Sequence, residues 1–568
     1  MSQKIHLIIF ILISFLSFSK SATSKGEINC QYEIQDTGDY TKILGDKFLP
    51  DSAIIMSIDG EEVTFSKKYL FPKMGVYKIK FELTESTNMD FMFEDVQSLI
   101  RVEMISTENL KITRFESTFE KCANLLSFTM EGFDTSSATS MKKMFFGTSN
   151  LDRTDFSKFN TESVLDMSSM FESSNVFTLE LRNFNTKRVK NMNSMLKWCQ
   201  NLLYLKIDTF DTSSVTDMSN LFLWDNNLLE LNVSKWDTSE VTDMSWMFYY
   251  CSSLTSLDVS NFDTKNVIKM DNMFNALSKI TSLDVSNFDT SNVENMAGMF
   301  SSNKNLKYLD VSGFNTKNVE SMSEMFSNCN NIKELNVENF KTSKVNDMSF
   351  MFSNCYELIS LNLENFDTSL VTNMNGMFKS NKKLELIDLS NFNTKKVINF
   401  KQMFHECFLV KKLDLSKFDT SNSKNMENMF YNCESLTSLD LSNFNTEKVE
   451  TMSNMFNNNK KLKYLNVDNF DTKNVKSMSQ MFTGCESLIK LDLSSFNTEN
   501  VTSMFDMFAD DSSLQELNLK NFNAENCRDF GQIFNGCLNL TLILGKNNKK
   551  CKILDELAPG YVYIKYIE

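Results

Sequence analysis

Cysteine is the residue type in this chain most able to react, bind metal or form crosslinks. The chain has 568 residues and twelve cysteines. Nine of them occupy one position of a repeating pattern, and we call these nine the cysteine ladder: Cys122, Cys199, Cys251, Cys329, Cys355, Cys407, Cys433, Cys485 and Cys537. Asn or another small or polar residue takes this position in most other units, so a disulfide is not obligatory there. We expect semi-buried thiols lining a turn, with bridges between neighbours such as Cys329 and Cys355 as the alternative.

The other three cysteines, Cys30, Cys527 and Cys551, lie near the two ends of the chain. In an oxidising compartment, a disulfide between Cys527 and Cys551 would staple the C-terminal end. No C-x-x-C pair occurs, which argues against zinc.

Histidine and unique carboxylate pairs are too scarce to support catalysis. The chain has two histidines, and His6 falls in an apolar N-terminal segment, which leaves His405. One histidine provides neither a catalytic triad nor a histidine metal site. Carboxylates alone can hydrolyse glycosides, but every Asp pair here belongs to the repeat. We therefore predict a protein that is not an enzyme and has no catalytic residues.

A series of carboxylates occupies the centre of Leu-Asp-Leu or a similar triplet. We call it the acidic ladder: Asp258, Asp284, Asp310, Asp388, Asp414, Asp440 and Asp492. Because the flanking apolar residues point inward on a strand, these carboxylates point outward. Stacked about 4.8 Å apart they repel each other, and calcium would relieve that repulsion. The alternative, which we favour, is that neighbouring Ser, interspersed Asn and water are sufficient.

A group of large side chains breaks the repeat. Trp198, Trp224 and Tyr250 stand at a position where the other units have small or polar residues, and three neighbours adjoin them. The predicted cluster is Trp198, Leu223, Trp224, Trp246, Tyr249 and Tyr250. Exposed aromatic residues are typical of protein and sugar binding sites. The alternative is a patch that covers a locally imperfect core, where Leu196 replaces Phe and Leu221 replaces Met.

The elements that position these residues are repeats of 26 residues, exemplified by LTSLDLSNFNTEKVETMSNMFNNN from Leu436 to Asn459. Each unit is named here by its central aromatic residue. These are Phe133, Phe159, Phe184, Phe210, Trp236, Phe262, Phe288, Phe314, Phe340, Phe366, Phe392, Phe418, Phe444, Phe470, Phe496 and Phe522. A degenerate unit around Thr107 precedes them, which gives about seventeen coils.

The spacing within a unit predicts a strand, a turn and a short helix. Leu439 and Leu441 alternate with Asp440, which has the period of a strand. Val449, Met452, Met455 and Phe456 are spaced three, three and one apart, which places them on one stripe of a helix. A single coil buries too little to fold alone, so the coils must stack.

The start of each unit resembles leucine-rich repeats. The whole unit, with consensus LDLSNFDT followed by V-x-x-M-x-x-M-F-x-x-C, resembles the BspA-type repeat family of secreted and surface proteins in bacteria and protists. The resemblance covers about residues 99–545. It implies an exported solenoid, with adhesion or host interaction as the usual suggestion, and it supplies no catalytic residues. The fold class expected is therefore α/β, a leucine-rich-repeat-like solenoid with a small N-terminal β module.

The unit departs from ordinary leucine-rich repeats at its ninth position, where Phe replaces the usual Asn or Cys. The hydrogen-bonding ladder of the turn must therefore lie elsewhere. We expect it at the Thr two residues after the aromatic, for example Thr446, which would N-cap the predicted helix. The alternative is that Thr is merely a good turn residue.

The ends of the chain differ in composition from the array, and all three prolines fall outside it. Residues 1–22 have Lys4, an apolar run and small residues, which predicts a secretory signal peptide. Residues 23–98 are expected to form a β module that caps the array, 99–545 the solenoid, and 546–568 a C-terminal cap. Sequons at Asn232, Asn500 and Asn539 would be glycosylated only in a eukaryotic secretory route.

The formal net charge of -15 argues against nucleic acid as a partner. We predict a secreted or extracellular surface protein, without a membrane span in the mature chain, that presents its repeats to a protein or glycan. The alternative is a structural protein of a cell coat or matrix that assembles through the calcium-bridged acidic ladder.

Overall fold

The computed structural model describes residues 25–546 and 562–567. Within those ranges the chain is a β-solenoid of about 17 turns, and it contains no α-helix. The predicted signal peptide and Cys551 lie outside the described residues. Nothing among the described residues is a helix that could span a membrane.

The strands of the described residues are short, except near the two ends. In chain order they are β1 (Gly26–Ile34), β2 (Thr41–Lys42), β3 (Ile54–Ile58), β4 (Glu61–Val63), β5 (Lys68–Tyr69), β6 (Gly75–Leu83), β7 (Leu99–Ser106), β8 (Ser127–Glu131), β9 (Arg153–Thr154), β10 (Thr178–Glu180), β11 (Tyr204–Lys206), β12 (Ser282–Leu283), β13 (Tyr308–Leu309), β14 (Ser360–Leu361), β15 (Leu386–Ile387), β16 (Ser438–Asp440), β17 (Tyr464–Asn466), β18 (Lys490–Asp492), β19 (Glu516–Asn518), β20 (Leu540–Gly545) and β21 (Val562–Ile567).

The chain divides into two compact units. The first extends to Leu202 and includes Thr209–Asp211, and the second comprises Leu203–Asp208 and the residues from Thr212 onward. This division falls inside the repeats, whereas the sequence suggested a boundary at 98. The boundaries proposed from sequence stay predictions.

The first unit is built on a seven-stranded sheet of order β4-β3-β6-β1-β7-β8-β9. Strand β1 pairs antiparallel with β6 and β7, while β7 pairs parallel with β8 and β8 with β9. The N-terminal strands thus pair with the first strand of the parallel stack. Alternating burial along β1 directs Ile28, Cys30 and Tyr32 into the core and the intervening side chains to the other face.

In the second unit the strands of successive coils pair in parallel with a shift of one repeat. Leu439 of β16 stands opposite Leu465 of β17, and Leu491 of β18 opposite Leu517 of β19. The last strands continue the stack, because β20 pairs with both β19 and β21.

The core consists of the apolar positions of the repeat stacked on their own copies. Leu436, Leu439 and Leu441 are 0%, 1% and 0% exposed. Phe456 stacks on the equivalent Phe430 and Phe482 with ring centroids 5.7 Å and 5.5 Å apart. The prediction of a shared interior is confirmed at these positions.

The predicted helix in each coil is wrong, and with it the α/β class. The residues of the stripe, such as Val449, Met452 and Met455, are buried as expected, but their backbone forms a series of tight turns. Met455 N–H donates to Met452 O, three residues back, over 3.2 Å. Met452 N–H donates instead to Ser477 O of the next coil over 3.1 Å.

Left-handed residues explain why the helix cannot form. Asn454 and Asn458 have φ of 57° and 59°, which lies outside the helical region. Their N–H groups donate to the next coil, to Ser479 O and Thr483 O. The hydrogen bonds that a helix would make internally therefore join neighbouring coils.

Candidate functional site

Every coil of the array has two residues at positive φ, at fixed distances from its central aromatic. The first lies ten residues after the aromatic and the second fourteen residues after it, as at Asn454 and Asn458 in the coil of Phe444. We call them the first and second left-handed positions. Gly, Asn and Asp tolerate this conformation, whereas a bulky L-residue there is an outlier.

Three large aromatic residues of the predicted cluster occupy these positions in two adjacent coils. Trp224, Trp246 and Tyr250 have φ of 66°, 60° and 60°. Their backbone N–H groups donate to the next coil as elsewhere, for example Trp224 N to Tyr249 O over 2.8 Å. A left-handed conformation costs an L-residue about 1–2 kcal/mol. The backbone conformation at these positions therefore does not favour large aromatic residues.

The rings lie together on the surface of the second unit. Trp224 stacks on Tyr250 with centroids 4.1 Å apart and planes 23° apart. Trp246 contacts Tyr249 at 4.7 Å, and Tyr249 lies 6.3 Å from Tyr250. All four side chains are half-buried. We call Trp224, Trp246, Tyr249 and Tyr250 the aromatic patch.

A carboxylate borders the aromatic patch. Trp246 Nε1 donates to Asp271 Oδ2 over 2.8 Å. Burial raises the pKa of the Asp271 carboxyl, and the hydrogen bond from Trp246 offsets part of that shift. The same burial effect raises the pKa of the Tyr249 hydroxyl. The patch thus combines apolar ring surface with polar groups that are partly withdrawn from water.

Two residues of the predicted cluster are not counted in the patch. Leu223 is 7% exposed and belongs to the core, so its assignment to a binding surface is wrong. Trp198 belongs to the first unit, where it is 48% exposed at a left-handed position with φ of 62°. Lys197 Nζ lies 5.0 Å from the Trp198 ring centroid.

The cysteine ladder is a row of hydrogen-bond donors. Each thiol donates to the carbonyl of a Phe 28 or 29 residues earlier, as Cys433 does to Phe404 O over 3.1 Å. Asn459 replaces Cys in the next coil and donates through Nδ2 to Phe430 O over 2.9 Å. Burial raises the pKa of the Cys433 thiol to about 12. Cys and Asn interchange because either donates a second hydrogen bond to a buried carbonyl that already accepts one from the backbone N–H three residues on.

The Thr ladder also joins coils, but it caps no helix. Thr446 Oγ1 donates to Asp471 O of the next coil over 2.9 Å. Thr420 Oγ1 in turn accepts from Asn445 N over 2.9 Å. Hydrogen bonds at this Thr position therefore join successive coils, which is the ladder expected from the sequence.

The acidic ladder is exposed, and each carboxylate accepts a hydrogen bond from the backbone two residues on. At Asp284 and Asp310 these bonds come from Ser286 N over 3.1 Å and Ser312 N over 2.9 Å. Hydrogen bonds from these serines lower the pKa of both carboxyls. Asn336 does the same for Glu338 N over 3.1 Å. A side-chain oxygen that closes the turn is therefore the common requirement at this position.

Candidate metal ligands and the histidine were also located in the described ranges. There, no three His, Cys, Asp or Glu side chains come close enough together to hold a metal ion. The His405 ring stacks on Tyr431 at 4.7 Å, and burial lowers its pKa. Calcium-bridged assembly through the acidic ladder stays a prediction, which light scattering with and without calcium would test.

The remaining predicted residues are the cysteines of the proposed C-terminal disulfide and the sequon asparagines. Cys527 is buried, with its Sγ 3.4 Å from Asp529 O, and its pairing with Cys551 stays a prediction. The three sequon residues Asn232, Asn500 and Asn539 are exposed. Asn232 accepts from Ser234 Oγ over 2.8 Å, and Asn500 donates to Lys473 O over 2.8 Å.

Two solved structures illustrate what the chain is similar to. A leucine-rich-repeat protein of Leptospira interrogans is 16% identical, with 72% of this chain and 86% of that chain covered and a TM-score of 0.20. A leucine rich cell surface protein of Faecalibacterium prausnitzii is 10% identical, with 86% and 84% covered and a TM-score of 0.19. At such TM-scores the similarity carries no argument about this protein. No curated protein matches the chain.

A family model matches most of the array. Its matches cover residues 87–204, 199–283, 270–360, 357–465 and 451–551. They confirm the recognition of a leucine-rich-repeat-like family of unknown function. The family description differs from the BspA name, however. The chain belongs to the family described as Mycoplasma protein of unknown function, DUF285.

Proposed function

We propose that this protein is a non-enzymatic binding protein of the extracellular space or cell surface, and that the aromatic patch contacts its protein or glycan partner. The observation that carries the proposal is the conformation of Trp224, Trp246 and Tyr250. All three hold large rings at left-handed positions, where the repeat needs only a small or polar residue.

Every coil has positive φ at these positions, so it is the large rings, at positions that suit small or polar residues, that favour a function for the side chain. The repeat does accept large residues at the first left-handed position elsewhere, as at Phe350 with φ of 54°. In the next coil Gly376 takes the equivalent position, and a Cβ there would clash with the Phe350 ring. Trp224 and Tyr250, in contrast, stack ring on ring, so two successive coils contribute to one surface.

The chemistry of the patch suits a partner with both apolar and polar surface. Trp and Tyr bring large, rigid contact areas and are enriched where binding energy concentrates. Asp271 adds a hydrogen-bonding group beside the indole of Trp246. A protein surface or the apolar face of a sugar ring meets these features equally well.

The competing explanation is that the rings cover a poorly packed core. The residue beneath them that departs from the repeat, Leu221, is 1% exposed, and its neighbour Phe222 is 0% exposed. Phe222 also keeps the regular stack, 5.6 Å from Phe248. Leu221 and Phe222 thus keep the packing of the regular repeat, which supports a surface role for the rings.

Binding by a double variant, Trp224→Ser with Tyr250→Ser, tests the proposal. The full chain is first screened on a glycan array and against purified extracellular matrix proteins. For any partner found, the double variant should bind about tenfold more weakly or worse, as loss of central aromatic contacts generally does. Surface plasmon resonance measures the affinities, and thermal unfolding confirms that the variant is folded.

Tyr308→Ser is the matched control. Tyr308 is a tyrosine of the same unit that is 75% exposed and lies on strand β13, outside the patch. Its loss should leave the affinity unchanged. Equal binding by the folded double variant and the native chain would reject the patch as the contact surface.

A further inference from the structure

The first unit carries a second surface, where the N-terminal strands pair with the first strands of the repeat array. The solvent face of strands β3, β6, β1, β7 and β8 lines an open hollow of about 1160 Å³. This is larger than the few hundred cubic ångströms that a small metabolite needs. All of its lining residues belong to the first unit.

The strand register places the lining side chains in two adjacent rows. In one row Gln31 of β1 lies between Lys78 of β6 and Arg101 of β7. In the other row Asn29 stands between Lys80 and Glu103. Side chains two residues apart on a strand point to the same face. Two amides therefore stand at the centre of the hollow, and Gln31 has a cation on each side, whereas Asn29 has Lys80 on one side and the Glu103 carboxylate on the other.

Hydroxyl groups complete the edges of the hollow. Ser57 of β3 pairs with Lys80 at one side. Ser127 and Thr129 of β8 pair with Arg101 and Glu103 at the other. Amides and hydroxyls both donate and accept hydrogen bonds, so the surface can match groups of either kind.

The three cations are not equivalent. Lys80 Nζ lies 2.5 Å from Glu82 Oε1 and 3.5 Å from Glu27 Oε1, so its charge is already matched. Lys78 and Arg101 are exposed, and within the described residues neither has a carboxylate at ion-pair distance. These two side chains remain available to an anionic group of a ligand.

We infer that the hollow binds a carboxylate-bearing oligosaccharide, with Arg101 and Lys78 pairing with the acid group and Asn29, Gln31, Ser57 and Thr129 bonding to sugar hydroxyls. The cations supply charge complementarity, and an oligosaccharide fits the size and the mixed donors and acceptors of the hollow. This site is independent of the aromatic patch.

Other occupants fit the hollow less well. A peptide that adds to a sheet binds at an edge strand, where backbone groups are unpaired, whereas β1 and β6 have partners on both sides. A polyanion such as nucleic acid requires a broadly basic surface, but Glu103 and Asp59 also line this hollow. A ligand with one acid group per few sugars tolerates these carboxylates.

The test uses three acidic oligosaccharides as probes: 3′-sialyllactose, a hyaluronan tetrasaccharide and tetragalacturonate. Each is compared with its carboxyl methyl ester, which has the same shape without the charge. We expect the full chain to bind at least one acid in calorimetry. The ester should bind about tenfold more weakly or worse, because a hydrogen bond to a charged group is lost.

The variant Lys78→Gln with Arg101→Gln should abolish this preference for the acid. The control, Lys111→Gln with Lys121→Gln, removes the same charge from exposed lysines of the same unit that lie outside the hollow, and it should bind normally. The inference is overturned if none of the acids binds, if the esters bind as tightly, or if the folded Lys78 and Arg101 variant is unaffected.

A third variant separates this site from the proposed function. Trp224→Ser with Tyr250→Ser should bind the acidic oligosaccharide as the native chain does. If this variant alone lost the sugar, the acid would bind at the aromatic patch. The hollow would then be rejected while the proposed function stood.

Hexaglutamate serves as a peptide probe of the hollow. If it bound more tightly than the acidic sugars, and if this binding depended on Arg101, a sugar ligand would be rejected.

Discussion

The coils of Phe210 and Trp236 can be compared with the coils of Phe418 and Phe444. Both pairs have the same core, with stacked rings at Phe222 and Phe248 in one and at Phe430 and Phe456 in the other. Both also have the same backbone, including positive φ at the two left-handed positions. The two regions therefore differ in what those positions carry.

At the second left-handed position the coils of Phe418 and Phe444 have Asn432 and Asn458, and the other two coils have Trp224 and Tyr250. Asn is among the non-glycine residues that adopt this conformation most readily. The fold therefore determines the backbone at this position but not the side chain, which can serve another purpose.

The largest effect is expected at the shared core. Phe456→Ala removes a ring that is 0% exposed and stacked on both sides. It should lower the free energy of unfolding by about 3–5 kcal/mol, as measured by urea denaturation. Tyr464→Ala, at a ring that is 55% exposed, is the control and should change stability little. A small effect at Phe456 would contradict a continuous core.

The next effect concerns the cysteine ladder. Cys433→Val should cost about 0.5–1.5 kcal/mol, because Phe404 O would lose one of its two donors and keep the bond from Cys407 N. Cys433→Asn should cost less, since Asn459 makes the equivalent bond in the next coil. Urea denaturation of both variants gives the comparison. Equal losses would show that the position selects for size and not for a donor.

The sequence was sufficient to predict which residues form the core and that successive coils stack on one another. Inward positions such as Leu439 recur at every repeat, and burial is a property that spacing reports directly. The array therefore could be recognised from one chain. Strands β1 and β6 lie outside the repeat, and the polar hollow depends on the register between β6, β1 and β7, which the spacing within a single strand does not give.

The predicted helix failed for a definite physical reason. The spacing of Met452, Met455 and Phe456 suits one face of a helix. A series of tight turns, however, also directs side chains at this spacing into the core. The distinguishing signal was present in Asn454 and Asn458, since Asn and Gly recur at these two positions across the repeats and favour left-handed backbone. The recurrence of Asn and Gly at these positions predicts tight turns in place of a helix.

The candidate site was predicted in part. Trp224 and Tyr250 stood out because they depart from the repeat, and the structure stacks them at 4.1 Å. Leu223 was included because it adjoins Trp224 in sequence, but neighbouring residues in a tight turn point in different directions, and Leu223 is buried. The strain at these residues became evident only with the backbone.

A smaller effect on stability, but a large one on binding, is expected at the aromatic patch. Trp224→Asn loses ring contacts with Tyr250 and gains a residue suited to φ of 66°. Strain of about 1–3 kcal/mol at such a residue should offset most of the lost burial. We expect stability to change by less than about 1 kcal/mol, measured by urea denaturation, while partner binding falls.

Ser302→Trp is the reciprocal variant at the second left-handed position of a coil without the patch, where φ is 62°. There the ring gains no stacking partner from the next coil, whose equivalent residue is Asn328. Because Ser302 already has a Cβ in this conformation, the left-handed cost is present before the substitution, and the added ring should change the free energy of unfolding by about 0.5 kcal/mol or less. A loss as large as that of a core residue for Trp224→Asn would support the competing explanation, in which the ring covers the core.

The smallest effect is expected at the acidic ladder, which is exposed and belongs to the regular architecture. Serine hydrogen bonds lower the pKa of the Asp284 carboxyl, so its contribution to stability is present above the unfolded pKa near 3.8 and disappears as pH falls through the lower folded value. Asp284→Asn keeps an oxygen for Ser286 N, as Asn336 does for Glu338 N. At pH 7 the substitution should therefore cost about 0.5 kcal/mol or less, and this cost should vanish in acid denaturation near pH 2–3. Asp284→Ala removes the acceptor as well, so a loss that persists at low pH would show that closing the turn matters more than the charge.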